Sequence, residues 1–275
     1  MNERVAIEVK DGIAEVRMSR PEKLNAVDQA MFRALIQAGR AVAMDGSVRV
    51  VVLSGEGRAF CAGLDMASFQ SMAKGGANAG GQRSSQSRGL LEAHEDSPAN
   101  FAQQAAWVWQ EVPQPVIAAV HGVAYGAGIQ IALGADIRFV APDARLSIRE
   151  VHWGLIPDVA ATQTARRVLR LDVAKELTFT GRVVSGEEAV GLGLATHTSD
   201  HPREAAFELA REIAARNPHA VRAGKTLWNE ATLGSVEAGL ALEASLQRTL
   251  IGSPNQVEAI RANLEKRPPA FGDPE

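Results

Sequence analysis

The sequence predicts an α/β core followed by an all-α C-terminal extension, and three observations carry that reading. Strand-like and helix-like segments alternate through the larger, N-terminal part of the 275 residues, and helical patterns alone follow. An uncharged stretch, Val116 to Ala135 (VIAAVHGVAYGAGIQIALGA), occupies the middle of the alternating part. That stretch divides into strand, glycine turn and helix. Val116, Ile117 and Val120 are β-branched, as in a buried strand. Gly122 to Gly128 forms the interruption, and Ile129 to Leu133 continues as a buried helix. Its length approaches that of a membrane span, but its glycines, His121, Gln130 and the preceding Pro113 and Pro115 argue against one. A strand, glycine turn and helix in this order aim backbone N–H groups at a bound acceptor.

The other elements follow in chain order. Val5 to Met18 alternates apolar and polar residues around Asp11-Gly12, a hairpin signal. Ser19 to Asn25 is a turn. Asp28 can cap a helix running to about Asp45, with Met31, Leu35 and Val42 on its buried face. Val48 to Ser54 is a buried strand, and Gly55 to Asp65 a glycine-rich loop. From Met66 to Asn100 the periodicity collapses; Lys74 to Gly89 reads as a mobile loop or lid, and the whole segment is expected to shape a pocket. A helix resumes from Phe101 to Glu111. After the central stretch, Asp136 to Val140 and Ala144 to Ile148 are strands, and Arg149 to Asp158 is a loop dense in side-chain chemistry. Ala160 to Leu169 and Asp172 to Phe179 read as helices. Ser185 with Glu188 forms a capping box, Leu194 to Thr198 is a strand, and four helices follow: Pro202 to Ala215, His219 to Thr232, Val236 to Ile251 and Pro254 to Lys266. The expected division is a core over 1–200 and a helical oligomerisation region over 201–275.

Composition narrows the function. Hydrophobic content of 46% and charged content of 22% are those of a soluble globular protein. A net charge of −3 supplies no basic footprint for nucleic acid, and 5% aromatic residues leave little for base stacking. The single cysteine, Cys61, excludes an intrachain disulfide and any cysteine-clustered metal site, so no metal is expected. The charged N-terminus lacks the apolar core of a signal peptide, and a cytoplasmic location is expected. A dinucleotide fingerprint fails because Ile131 stands where Gly126-Ala127-Gly128 would need its third glycine.

Several pieces in fixed order resemble the crotonase (enoyl-CoA hydratase/isomerase) superfamily. They are RPEKLNA at Arg20 to Ala26, GRAFCAGLD at Gly57 to Asp65, PVIAAVHGVAYGAG at Pro115 to Gly128, ADIRFVAPDARLSIREVHWGLIPD at Ala135 to Asp158, ELTFTGR at Glu176 to Arg182, and LEKRPPAF at Leu264 to Phe271. The resemblance implies a spiral of ββα units, a C-terminal trimerisation region and a homotrimer or dimer of trimers. It implies an acyl-CoA thioester as substrate and no separate cofactor, since coenzyme A belongs to the substrate. It also implies an oxyanion hole from the backbone N–H groups of Leu64 and Ala127, suited to charge that develops in the transition state. Without the resemblance, the flanking glycines read equally as turn residues.

For proton transfer the resemblance points to Glu150 and Asp158. Hydratases of the family use two glutamates; the second falls on Glu150, and the first on Gln130, which does not titrate. A carboxylate at Asp158 is the pattern of the dienoyl-CoA isomerase branch, so isomerisation leads hydration here. Two carboxylates in an apolar pocket repel each other and push one pKa up, which provides an acid and a base near neutrality. The other reading of Asp158 is a helix cap; that of Glu150 is a surface ion pair with Arg149. A catalytically silent acyl-CoA-binding trimer is the reading from another class. Substrate contacts implied by the resemblance are Lys23, Leu24, Ala26, Ala62, Gly63, Asp65, Tyr125, Gly126, Gln130 and Lys266. Asp65 also reads as a brace for its loop, and Lys266 as an ordinary helix-end lysine. His152 and His121 are expected to be structural, and Cys61 a small buried residue.

Overall fold

The computed structural model describes residues 4–70, 91, 93–94 and 97–274, with side chains for all of these except 93–94. The segment expected to be a mobile loop, Lys74 to Gly89, lies outside the described residues.

β1 (Val5–Lys10) and β2 (Ile13–Met18) form the expected hairpin. Asp11 and Gly12 both have positive φ, 52° and 76°, as a two-residue type I′ turn demands. Asp28 accepts the Met31 N–H at 2.7 Å and starts α1 (Gln29–Met44). β3 (Val50–Gly55) then lies parallel to β2. A short antiparallel pair, β4 (Ala93–His94) and β5 (Ser97–Asn100), leads into α2 (Phe101–Glu111). Asn100 and Gln103 close a full capping box there.

The central stretch contributes β6 (Val116–Val120), β7 (Val123–Tyr125) and α3 (Ala127–Leu133). β8 (Ile137–Val140) and β9 (Arg145–Ser147) repeat the pattern, followed by a 3-10 turn over Glu150–Trp153. Each repeat puts one strand in each of two sheets. The main sheet runs β1-β2-β3-β6-β8-β11, its last strand being His197–Thr198, and is parallel from β2 onward; the smaller one runs β10-β9-β7, its first strand being Val184–Ser185. This is the ββα spiral. The remaining elements are α4 (Ala161–Ala165), α5 (Leu171–Thr180), β10 (Val184–Ser185), α6 (Gly186–Leu192), β11 (His197–Thr198), α7 (Pro202–Ala214), α8 (Pro218–Ala231), α9 (Val236–Leu250) and α10 (Pro254–Glu265).

The central strands β3 and β6 are buried on both faces, which explains their continuous apolar runs, while β1 and β11 expose most of their residues. Val51 and Leu53 join the large core with α1, α2 and α3. Val50, Val52, Ile117 and Ala119 face Ala206, Ala210 and Ala214 of α7. Thus α7 belongs to the core, although it falls within the region expected to serve assembly. No helix among the described residues is long and apolar enough to cross a membrane.

Three local expectations need correction. β7 is a strand within the segment expected to be only a turn. The helix expected over 160–169 is α-helical only over Ala161–Ala165, after which Arg167 and Val168 donate three residues back and tighten the chain. At Ser185 only half of the capping box forms: its hydroxyl accepts the Glu188 N–H, while the Glu188 carboxylate pairs with Arg182.

Candidate active site

Two backbone turns meet beside the small sheet. The loop after β3 runs as an extra strand along β7: Cys61 N–H donates to Val123 and Tyr125 N–H donates to Cys61, each at 3.0 Å. Gly63 has φ +90°, and a Cβ there would lie 2.6 Å from the Tyr125 carbonyl oxygen and 3.8 Å from the Ala127 nitrogen. Only glycine permits that approach. The contact brings the Leu64 and Ala127 amides to one place. Ala127 is the first residue of α3, so its N–H has no intrahelical acceptor. Neither amide donates to another protein group among the described residues.

These amides open onto a cavity of about 450 Å³. Its walls are largely apolar, with Phe32, Leu64, Met66, Leu91, Ala102, Leu155 and Val159 among them. Phe69 and Trp153 both line it and stack at 4.3 Å between ring centroids. Ala62, Gly63, Tyr125, Gly126 and Ala127, all expected at a substrate site, line it too. So do Glu150 and Asp158.

Glu150 sits at the start of the 3-10 turn, and Asp158 follows on the same loop. Gln130, fully buried in α3, donates through Nε2 to Glu150 Oε1 at 2.5 Å. Its own Oε1 accepts the Val159 N–H at 2.8 Å. Glu150 Oε2 is buried and has no hydrogen-bond partner among the described residues. Burial pushes the Glu150 carboxyl above the usual carboxylate range; the Gln130 hydrogen bond opposes this, and the Asp158 charge adds to it. Burial raises Asp158 as well. Asp158 does not cap the helix that follows: the N-cap of α4 is Ala160, with no side-chain cap. Glu150 makes no ion pair with Arg149. That guanidinium lies 4.9 Å from the Tyr125 ring centroid and lines the cavity.

Other expected residues lie outside the cavity. Asp65 is committed to its own loop, pairing with Arg20 at 2.5 Å and accepting the Ala67 N–H at 2.8 Å. The Arg20 pairing and that backbone hydrogen bond hold its carboxyl below the usual range, with the backbone bond the largest cause. As a brace it fits one of its two expected roles, but its carboxylate does not reach the cavity. Lys23, Leu24 and Ala26 form the turn next door, joined to the loop when Ala62 N–H donates to the Leu24 carbonyl at 2.9 Å. They do not line the cavity. Lys266 is the exposed C-cap of α10, away from the cavity of its own chain. The His152 ring packs against Gly181, and His121 bonds the Gly57 carbonyl oxygen at 2.9 Å. Cys61 is buried, which drives its thiol up to about 12, out of range for a nucleophile at neutral pH. Met66, Phe69 and Leu91 come from the segment expected to shape a pocket, and the cavity residues not foreseen are Phe32, Ala102, Arg149, Trp153, Leu155 and Val159. The resumed apolar period in α1 and α2 was a signal for Phe32 and Ala102; no local signal marks the others as sharing one cavity.

Comparison with known proteins agrees with this geometry. The family model described as enoyl-CoA hydratase/isomerase matches residues 8–274. A Delta(3,5)-Delta(2,4)-dienoyl-CoA isomerase of Mus musculus is 31% identical, over 93% of this chain and 77% of its own. Enoyl-CoA hydratase domain-containing protein 2 of Homo sapiens is 34% identical, over 94% and 85%. The crystal structure of a putative enoyl-CoA hydratase from Streptomyces coelicolor superposes with a TM-score of 0.87 at 31% identity, over 99% of this chain and 95% of that one. With its two-sheet spiral and paired free amides over an apolar cavity, the chain belongs to the crotonase superfamily, as an enzyme of the enoyl-CoA hydratase/isomerase family.

Proposed function

We propose that this enzyme moves a double bond along an unsaturated acyl-CoA thioester, with Glu150 and Asp158 as the proton-transfer pair and the Leu64 and Ala127 amides as the oxyanion hole. The observation that carries the reading is the shared cavity of these two carboxylates, with neutral Gln130 where a third acid would otherwise stand. The Gln130 donor favours the ionised form of Glu150, so Glu150 is the base. Asp158 receives no side-chain hydrogen bond among the described residues and serves as the acid once the pair holds one proton.

Glu150 takes a proton from an acyl carbon. The C–H electron pair moves into the conjugated system and charge collects on the thioester oxygen, where the two amides hold it. Asp158 then returns a proton to a carbon farther along the chain. No water is consumed and no separate cofactor is required. In this reading Lys23, Leu24 and Ala26, in the turn joined to the Ala62–Gly63 loop, contact the coenzyme A portion. Assembly as a trimer or a pair of trimers, with Lys266 reaching a neighbouring site, is part of the same proposal.

Hydration is the second reading, favoured by the unpartnered Glu150 Oε2, which could hold a water. Spectrophotometry separates the two: turnover of a dienoyl-CoA faster than crotonyl-CoA hydration is expected, and the reverse order overturns isomerisation. Glu150→Gln should lower kcat roughly 10²–10⁴-fold while acyl-CoA binding by calorimetry persists. Unchanged kcat would remove Glu150 from the mechanism. Tight thioester binding with no product from a broad panel would leave a silent acyl-CoA-binding protein.

A further inference from the structure

Gln130 is the fully buried polar side chain closest to the proposed chemistry, and it titrates nowhere. Its orientation is fixed by its surroundings. The Val159 N–H can only donate, so the amide oxygen must face it, and the amide nitrogen must face Glu150 Oε1. Oε1 is also wedged against the turn: a Cβ on Gly126 would come within 3.2 Å of it. Oε1 is thereby fixed as an acceptor, and a proton on Glu150 must sit on Oε2. That atom is buried and has no hydrogen-bond partner among the described residues.

We propose that Gln130 is the positioning residue of this site: one amide selects Oε2 as the proton-carrying oxygen of Glu150 and, through Val159, fixes the segment that presents Asp158. The proposal rests on the acid–base reading of Glu150 given above. A carboxylate at position 130 could still accept the Val159 N–H, but when ionised it would have nothing to donate to Glu150. A protonated one would mimic the amide. Asp158 and Arg149 on the same loop, and Tyr125 on β7, are the other charged or titratable groups on the cavity wall among the described residues.

Two variants test this. Gln130→Met keeps the bulk and removes both hydrogen bonds; kcat is expected to fall about tenfold or more, with KM changed less than about threefold and the acid limb of the pH profile moved up. Gln130→Glu keeps the Val159 bond. Its activity should be highest while it shares one proton with Glu150, and should decline as pH rises and that proton is lost, an alkaline limb additional to the parent's own, which marks loss of the Asp158 proton. A purely structural residue would not create that limb. Wild-type kcat and pH profile in Gln130→Met, or no alkaline limb beyond the parent's in Gln130→Glu, overturns the proposal; if the Met variant does not fold, the Glu variant decides. Titration of the ¹³C-labelled Glu150 carboxyl, assigned with Glu150→Gln, needs no turnover. It should shift upward in Gln130→Met, or in Gln130→Glu if the Met variant does not fold, and an unchanged titration refutes the positioning role. Inactivity of the parent on every thioester would defeat the proposed reaction and leave this titration to judge Gln130.

Discussion

At the scale of single residues, the site separates charge by environment. Glu150 and Asp158 both have raised pKa values, mainly from burial. A carboxyl raised in the folded state stabilises the fold fully below its unfolded pKa, and that contribution is lost as pH climbs through the folded value. The native protein is therefore expected to be less stable at neutral pH than its neutral isosteres. Asp158→Asn should raise Tm at pH 7 while lowering kcat roughly 10²–10⁴-fold, and the gain in Tm should vanish at a pH below the ordinary carboxylate range. Scanning calorimetry at two pH values checks this; an equal Tm difference at both removes burial of the charge as the cause. The two carboxylates were legible in the sequence because motif order fixes their positions. What Gln130 does was not legible, since its partners lie 20 and 29 positions away. The same holds for Arg149. Adjacency in sequence suggested an ion pair with Glu150, but neighbouring residues on a tight 3-10 turn project apart, and its guanidinium stacks on Tyr125 instead.

At the scale of elements, local pattern was a good guide wherever one element is buried by its own periodicity. The Asp11-Gly12 hairpin, the Asp28 cap and the helix Phe101–Glu111 follow from residues a few positions apart. β7 escaped because it has only three residues between glycines and is defined by partners, β9 on one side and Cys61 on the other. Such a strand has no period of its own to read. Its placement has a functional consequence: β7 ends at Tyr125, whose carbonyl presses on Gly63. Gly63→Ala adds a Cβ to a backbone with φ +90° and 2.6 Å from that oxygen. The loop must shift, and the Leu64 N–H shifts with it. Loss of one oxyanion donor costs on the order of 10²–10³ in kcat, so Gly63→Ala should fall steeply in kcat with its circular dichroism unchanged. Parent-like kcat in a folded Gly63→Ala protein would exclude the Leu64 amide from the oxyanion hole.

At the scale of the molecule, the helical C-terminal part divides into a piece that completes the core and a piece that turns outward. α7 buries its alanines on the main sheet, and Arg203 at its start clamps nearly buried Glu15 with two hydrogen bonds of 2.7 Å. Lys225 of α8 reaches back to Asp136 at 2.9 Å and to the carbonyls of Trp109 and Gln114. A cut at 200/201 thus passes through packed contacts, because composition marks where strands end but not where burial ends. The outward piece is different. Trp228, Val236, Leu240 and Leu264 are 60–80% exposed on α8, α9 and α10 or their junctions. Val236 and Leu240, one helical turn apart on α9, expose large apolar side chains of the kind that interaction surfaces carry, which supports the proposed trimer. Sedimentation should report three or six copies of the 29.2 kDa chain, and Val236→Asp with Leu240→Asp should dissociate them without unfolding the core, since neither residue contributes to it. Because the Leu64 and Ala127 amides belong to the same chain, the dissociated protein should keep its oxyanion hole and lose chiefly affinity for coenzyme A if Lys266 serves a neighbour. A monomeric parent would refute the assembly; a dissociated variant with unchanged KM would leave Lys266 an ordinary helix-end lysine.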